Sequence, residues 1–268
     1  MNVISIDDAA DVRLDPYRNL RHEDVRRRGP LFIAEGRMVV RRLLQSAYAV
    51  NSILAEPIRL AELEPHVNAS TPVYVVRQEL IRDVAGFNFH RGLLACGQRI
   101  KFSPIASLDT LTGGDQLALG AISLNDLENL GSLLRTAAAL GIFHIVLNRQ
   151  TVDPLCRRVL RVSMGAALRM TYYDLDDPVS WLEGNRRSNA WQTIAMTLAP
   201  DSMPLDQAVS AAGPTLILLG NEADGLPLAI QQACHVRAQI PMAAGIDSLN
   251  VAVAGAIALY EFTRSRAE

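Results

Sequence analysis

Three stretches of the chain place charged and amide side chains directly after apolar runs, a pattern suited to ligand binding and chemistry. The first is Asn125-Asp126-Leu127-Glu128-Asn129-Leu130-Gly131-Ser132-Leu133-Leu134-Arg135. Asn129 reads as a helix N-cap. Leu133, Leu134, Ala137 and Ala138 would then form the buried stripe, and Arg135 falls about 200° from Leu133, off that stripe. An arginine so placed suits a phosphate, or is a solvent-exposed residue on a plainly capped helix. The second stretch is Leu219-Gly220-Asn221-Glu222-Ala223-Asp224-Gly225-Leu226-Pro227. Its two glycines bracket a carboxylate-bearing turn and allow close backbone approach to a ligand or a positive φ. Pro227 suits the first turn of a following helix. A tight acidic turn is the plainer reading. The third is Ile240-Pro241-Met242-Ala243-Ala244-Gly245-Ile246-Asp247-Ser248-Leu249-Asn250. Ser248 is the expected N-cap of a last helix rich in small residues, whose free N–H groups favour an anionic or polar ligand group. A serine cap on a buried helix reads equally well.

The elements that must position these loops alternate regularly. Strands are expected at 116–123, 143–148, 169–174, 191–197, 215–220 and 235–242, and helices at 130–141, 154–167, 178–187, after Pro227, and from 249 to 264. Such alternation implies an α/β domain over 115–268 with a mostly parallel sheet covered by helices. Ligands of such sheets bind at the carboxyl ends of strands, which singles out the loops after residues 123, 220 and 242. Before the adjacent glycines at 113 and 114 lies a smaller α/β domain, 1–110, with strands at 31–35 and in VNSILAE, PVYVV and GLLACG, and helices in GRMVVRRLLQSA and ELIRDVAG.

At 268 residues and 49% hydrophobic content the chain can bury two modest cores. No apolar run approaches the ~18 residues of a membrane span. The acidic start MNVISIDDAADVR is not the pattern of a secretory signal. Cys96, Cys156 and Cys234 are far apart and show no zinc spacing, so neither a metal nor a disulfide framework is expected, and the reading is a reducing cytoplasm. Cys234-His235 reads as packing. A net charge of −2 does not announce a nucleic-acid binder. The distribution says more: Lys101 is the only lysine, and Arg21, Arg26, Arg27, Arg28, Arg37, Arg41 and Arg42 crowd the first part of the chain. Arginine suits bidentate phosphate contacts and stacking. Interleaved acids also permit a solvated helix face there. There is no G-x-G-x-x-G after a strand, no P-loop, no H-E-x-x-H and no G-x-S-x-G.

Together the three stretches resemble, in order, the motifs of the SpoU/TrmH family of the SPOUT superfamily, RNA 2′-O-ribose methyltransferases. Asn129-x-Gly131-x-x-x-Arg135-Thr136-Ala137 is similar to the first motif. Leu219-Gly220-Asn221-Glu222-x-x-Gly225-Leu226 is similar to the second. Ile240-Pro241-Met242 through Ser248-Leu249-Asn250-Val251-Ala252-Val253-Ala254 is similar to the third. Ser163-Met164-Gly165-Ala166 resembles a segment common between the first two. Ala34-Glu35-Gly36 and Arg91-Gly92-Leu93-Leu94-Ala95 more weakly resemble the family's substrate-binding domain. The resemblance implies a C-terminal trefoil knot, a homodimer with its active site at the subunit interface, and S-adenosylmethionine as cofactor. That cofactor would be held by Leu219, Gly220, Asn221, Ile240, Met242 and Leu249. It also implies methylation of a ribose 2′-hydroxyl in tRNA or rRNA, with Arg135 as the key residue and Asn129, Glu222, Ser248 and Asn250 orienting the reactants. The 1–110 domain would grip RNA, with Arg26, Arg27, Arg28, Arg37 and Arg41 as the candidates. Base methylation by the same fold and a non-catalytic RNA-binding protein are the alternatives. The presence of Arg135, Glu222 and Asn250 speaks against the latter. The missing glycine fingerprint speaks against an unrelated nucleotide enzyme.

Overall fold

The computed structural model describes residues 1–20, 29–63, 65–86, 92–111, 116–209, 213–245 and 247–267. The chain divides into two compact units: Met1–Lys101 together with Asp153–Arg169, and Phe102–Val152 together with Met170–Glu268. The division thus falls at 101/102, before the expected 112–115 turn, which lies outside the described residues. It also counts a segment from the middle of the expected second domain with the first.

The first unit runs β1 (Asn2–Ser5), β2 (Leu31–Glu35), α1 (Arg37–Leu44), β3 (Val50–Ala55), α2 (Leu60–Leu63), β4 (Pro72–Val75), α3 (Gln78–Ala85) and β5 (Leu93–Gln98). Its sheet has the order β1-β4-β3-β5-β2. β1, β4 and β3 are parallel, and β5 is antiparallel to both β3 and β2. The spacing of Val39, Val40 and Leu43 puts all three on the buried face of α1. β1 has no counterpart among the expected strands: four residues at a sheet edge carry too little pattern to announce one.

The second unit contains β6 (Ser103–Pro104), β7 (Leu117–Ala121), α4 (Leu127–Ala139) and β8 (His144–Leu147). The chain then passes through α5 (Arg157–Val162), which belongs to the first unit, and returns as β9 (Thr171–Asp174), α6 (Pro178–Ser188), β10 (Gln192–Met196), β11 (Met203–Pro204), α7 (Leu205–Ala208), β12 (Thr215–Leu219), α8 (Leu228–Ala233), β13 (Val236–Gln239) and α9 (Val251–Ala267). The eight strands lie in the order β11-β13-β10-β12-β7-β8-β9-β6. Every described pairing among them is parallel. Both faces of a parallel sheet are covered, so its central strands are apolar throughout; all five residues of β12 are buried. Trp191, Tyr173, Leu216, Leu218 and Ile230 belong to one continuous core. Fully burying a side chain such as Leu218 contributes roughly 1.5–3 kcal/mol.

This strand order fixes the site. β13, β10, β12 and β7 are adjacent, and being parallel they end on the same edge. The segments that follow them, although up to about 120 residues apart in sequence, open side by side.

Candidate active site

The loops after β7, β10, β12 and β13 enclose a cavity of ≈ 790 Å³. That lies in the range of ~300–1,000 Å³ usual for small-molecule sites. Of the residues expected to act on substrate, Asn129, Glu222, Ser248 and Asn250 line it. So do Leu219, Gly220, Asn221, Ile240, Met242 and Leu249, the residues expected to hold a cofactor. Three stretches distant in sequence therefore meet in one place.

A chain of side-chain hydrogen bonds holds them together. Glu222 Oε1 accepts from Asn129 Nδ2 at 3.1 Å, and Asn129 Oδ1 accepts from Asn250 Nδ2 at 2.8 Å. The amides of Asn125 and Asp126 also point at the Glu222 carboxylate, each at 3.4 Å. A carboxylate at the amino end of α4 faces the positive end of the helix dipole. Asn250 uses its own carbonyl oxygen to accept from the N–H groups of Ala252 at 2.9 Å and Val253 at 3.3 Å.

These bonds correct two expectations about helix ends. Asp126, not Asn129, caps α4: its Oδ1 accepts from Asn129 N at 2.7 Å. Asn129 is thereby free to use its amide across the site. Asn250 rather than Ser248 caps α9, and Ser248 stands in the exposed segment before it.

The glycines act by proximity. A Cβ on Gly220 would lie 2.2 Å from Gly225 C and 2.2 Å from Leu226 N, so the turn folds back onto Gly220 where no side chain fits. A Cβ on Gly255 would meet Leu133 Cδ1 at 2.4 Å and Leu219 Cδ1 at 2.7 Å. Gly255 therefore lets α9 lie against α4 and the end of β12. The Asn221 side chain shapes the same loop: Nδ2 donates to Ser123 O at 2.9 Å, and Oδ1 accepts from Ala223 N at 2.8 Å.

Two groups of site residues escaped the sequence reading. Met196, the last residue of β10, and residues 197–199 after it line the cavity. Thr197 Oγ1 donates to Gln231 Oε1 at 2.9 Å, and Gln231 Nε2 donates to Leu226 O at 2.6 Å, tying that loop to the one after β12. The rule that ligands sit at carboxyl strand ends would have found them had it been applied to every strand. Beneath the site, buried Asn148 accepts from Ser123 N at 2.8 Å and donates to Ser123 Oγ at 2.9 Å. It holds Ser123 at a φ of 58°.

Arg135 is not among the cavity residues of a single chain; it is exposed on α4. In the first unit, Arg41 is exposed, and Arg37 pairs with Glu62 at 2.6 Å. Arg26, Arg27 and Arg28 lie outside the described residues. Cys234 and His235 sit in packing positions: burial pushes the Cys234 thiol up to about 12, and His235 Nδ1 accepts from Thr193 N at 3.2 Å. No group of three or more His, Cys, Asp or Glu among the described residues is placed to hold a metal ion.

Fold and site together define an α/β protein that takes a small, partly polar ligand at the carboxyl ends of adjacent parallel strands. Residues 116–260 match the SpoU rRNA Methylase family, and the chain belongs to that family. An uncharacterized tRNA/rRNA methyltransferase of Mycobacterium bovis is 37% identical over 99% of this chain and 93% of its own length. The 23S rRNA (guanosine-2′-O-)-methyltransferase RlmB of Xylella fastidiosa is 29% identical, covering 85% of this chain and 89% of the relative. Among solved structures, the AdoMet-bound rRNA methyltransferase from Sinorhizobium meliloti matches with a TM-score of 0.80 at 23% identity, over 98% of both chains.

Proposed function

We propose that this chain methylates a ribose 2′-hydroxyl in rRNA or tRNA, with S-adenosylmethionine as the methyl donor. The observation that carries the reading is the single cavity into which the loops after β7, β12 and β13 bring Glu222, Asn129 and Asn250. Family membership and the activities named for the relatives agree with it.

The residues present fit such a cofactor. Leu219, Leu226, Ile240, Met242 and Leu249 supply apolar walls for an adenosyl group. Met242 and Leu249 lie in irregular backbone, where their peptide groups belong to no strand or helix. Glu222 and Asp247 at the rim suit a cationic, hydroxyl-rich ligand. When bound, S-adenosylmethionine supplies a methyl group already activated by its sulfonium. The protein's task is then to hold the sugar oxygen in line and to ease departure of its proton, since a ribose hydroxyl is hardly ionised at neutral pH.

Arg135 is the residue assigned to that task. A guanidinium stays protonated throughout the physiological range, so its role is to hold the adjacent phosphate and stabilise the developing alkoxide. Its absence from the cavity of one chain is met by a homodimer in which two copies complete the site. Val253, Ile257 and Tyr260 are 49%, 39% and 57% exposed on α9 and share one face at i, i+4 and i+7. That apolar stripe supports such pairing. The trefoil knot that the resemblance implies is part of this reading; the packing of α9 on α4 and β12 is compatible with it. The first unit serves as the RNA-binding part, and the protein works in the cytoplasm.

The test is methyl transfer from radiolabelled S-adenosylmethionine to purified rRNA and tRNA, with the product mapped through alkali-resistant linkages. Label at a ribose is expected, and Arg135→Ala should lower the rate at least about 100-fold while cofactor affinity is retained. Label on a base, or none with any RNA, refutes the proposal.

A further inference from the structure

We infer that Asn148, the residue after β8, is a positioning residue: it holds Ser123 in a left-handed conformation and through Ser123 sets the turn that carries Glu222. The inference rests on the proposed methyl transfer and adds a residue behind the walls of its site, since neither Asn148 nor Ser123 lines the cavity. Ser123 has a φ of 58°, a region that glycine enters freely and serine does not. Such a conformation persists only where its surroundings impose it, and here each polar group of Ser123 is engaged. Its N–H donates to Asn148 Oδ1 at 2.8 Å, its Oγ accepts from Asn148 Nδ2 at 2.9 Å, and its carbonyl accepts from Asn221 Nδ2 at 2.9 Å. Asn148 is itself 5% exposed and firmly held. Its Oδ1 also accepts from Thr151 N at 3.2 Å, and buried Thr151 Oγ1 lies 2.8 Å from it. Two backbone N–H groups meet Oδ1, which fixes the orientation of the amide, because an N–H cannot accept.

The place of Ser123 in the chain gives this contact its leverage. Ile122 N still donates to Leu219 O at 2.9 Å, continuing β7 along β12, whereas Leu124 O already accepts from Val152 N at 2.9 Å. The chain therefore changes partners across Ser123. Just beyond it come Asn125 and Asp126, whose N–H groups face the Glu222 carboxylate. Asn221 gives its Nδ2 to Ser123 O and its Oδ1 to Ala223 N at 2.8 Å, so the turn after β12 hangs on the Ser123 carbonyl. A change of Ser123 to negative φ would re-aim that carbonyl and the two amides together. Hydrogen bonds and one peptide link thus run from Asn148 through Ser123 and Asn221-Glu222 to Asn129 and Asn250.

The experiment measures kcat and KM for methyl transfer, urea stability, and amide hydrogen exchange over residues 123–129 and 221–225, all on the full chain. In Asn148→Ala the left-handed conformer of Ser123 loses its support, so kcat should fall about 5- to 30-fold. KM for S-adenosylmethionine should stay close to that of wild type. Glycine takes either sign of φ about equally, so Asn148→Ala combined with Ser123→Gly should recover kcat to within about 2-fold of wild type. A merely structural asparagine would show no such rescue. Asn185 is the control: also 5% exposed, it grips Trp191 by accepting from its N–H at 3.0 Å and donating to its carbonyl at 2.7 Å. Asn185→Ala should lower urea stability comparably and leave kcat unchanged. Exchange over the two segments should rise in Asn148→Ala and return in the double variant. That readout does not depend on methyl transfer, so an inactive wild-type protein would count against the proposed function alone. Unchanged kcat in Asn148→Ala beside an active wild type, no recovery in the double variant, or unchanged exchange overturns the inference. If Asn148→Ala yields no folded protein, Ser123→Val decides, because a β-branched residue resists positive φ even with Asn148 in place; full turnover or wild-type exchange in it overturns the inference as well.

Discussion

Replacing Gly220 by alanine tests whether the turn folded back onto it builds the cavity. Gly220 holds no positive φ, so an alanine there is not strained by its backbone angles. The obstacle is contact alone: the new Cβ would sit 2.2 Å from Gly225 C and Leu226 N and 2.4 Å from Gly225 O. Overpacking costs ~1–3 kcal/mol, and here the neighbours are backbone atoms with no rotamer to change, which puts the cost near the top of that range. Replacing glycine recovers ~0.4–1 kcal/mol from the unfolded state. The net penalty is about 2–2.5 kcal/mol, equivalent to about a 25- to 60-fold change in an equilibrium constant. It should appear as lower stability in urea unfolding, as weaker S-adenosylmethionine binding by calorimetry, or divided between the two. Gly225→Ala is the control: its φ is +68° but nothing lies within 4 Å, so only a conformational cost of about 1 kcal/mol is expected. Wild-type stability together with wild-type cofactor affinity in Gly220→Ala would refute the close-approach argument.

Asn250→Ala removes the cap of α9 and the bond to Asn129, so about 1 kcal/mol of stability should go along with activity. Asn250→Asp keeps the capping oxygen but not the donor, and should retain the thermal midpoint while losing turnover; equal loss of both properties would show that the two roles are one. Glu222→Gln should lower the rate at every pH without removing the acid limb of the pH–rate profile; disappearance of that limb would identify Glu222 as the base. Burial lowers the pKa of both His144 and His235 below the usual 6.5, and Arg186 adds to the effect at His235. The unfolded chain therefore binds more protons than the folded one as pH falls through 6.5, so stability is full above that pH and declines below it. Urea midpoints from pH 8 to about 5 should show the decline, and His235→Gln should flatten it; an unchanged slope in that variant would remove His235 as a cause.

How much of this was open to reading differs by element. Strands β7, β8, β10 and β12 were legible as short apolar runs, and the polar stretches after β7 and β12 supplied two of the three loops. Helix caps were legible only as regions. Asp126 and Asn129 lie three apart, Ser248 and Asn250 two apart, and all four are good cap residues. The choice is made by Glu222, about ninety residues from Asn129, which engages its amide. The placement of residues 153–169 was not legible at all. Cys156, Val159 and Leu160 announce a buried face, but nothing local says which sheet covers it. The segment instead follows long-range polar contacts, Asp153 to Arg99 and Arg157 to Glu35. The strands β6 and β11 are two residues long and end in proline, too short to carry a period. The loop after β10, Thr197-Leu198-Ala199, has no charge to draw attention and is identified only by where it ends up.

The hydrogen bonds also constrain the chemistry. Both Glu222 oxygens face donors of the 125–129 segment, so accepting a proton from substrate would cost the bonds that hold the first loop to the second. Asn129 and Asn250 each use their carbonyl oxygen inside the protein, one on the other's amide and one on α9. These side chains spend their polar capacity on joining three loops, which fits the positioning role proposed for them. What remains exposed and cationic on the first motif is Arg135, on the face of α4 that the cavity of its own chain does not use. A carboxylate and amides committed to the walls, with the guanidinium exposed outside the cavity, are what the proposed homodimer would need a second copy to complete. In the homodimer proposed above, the apolar stripe of Val253, Ile257 and Tyr260 on α9 is the surface offered to the second copy.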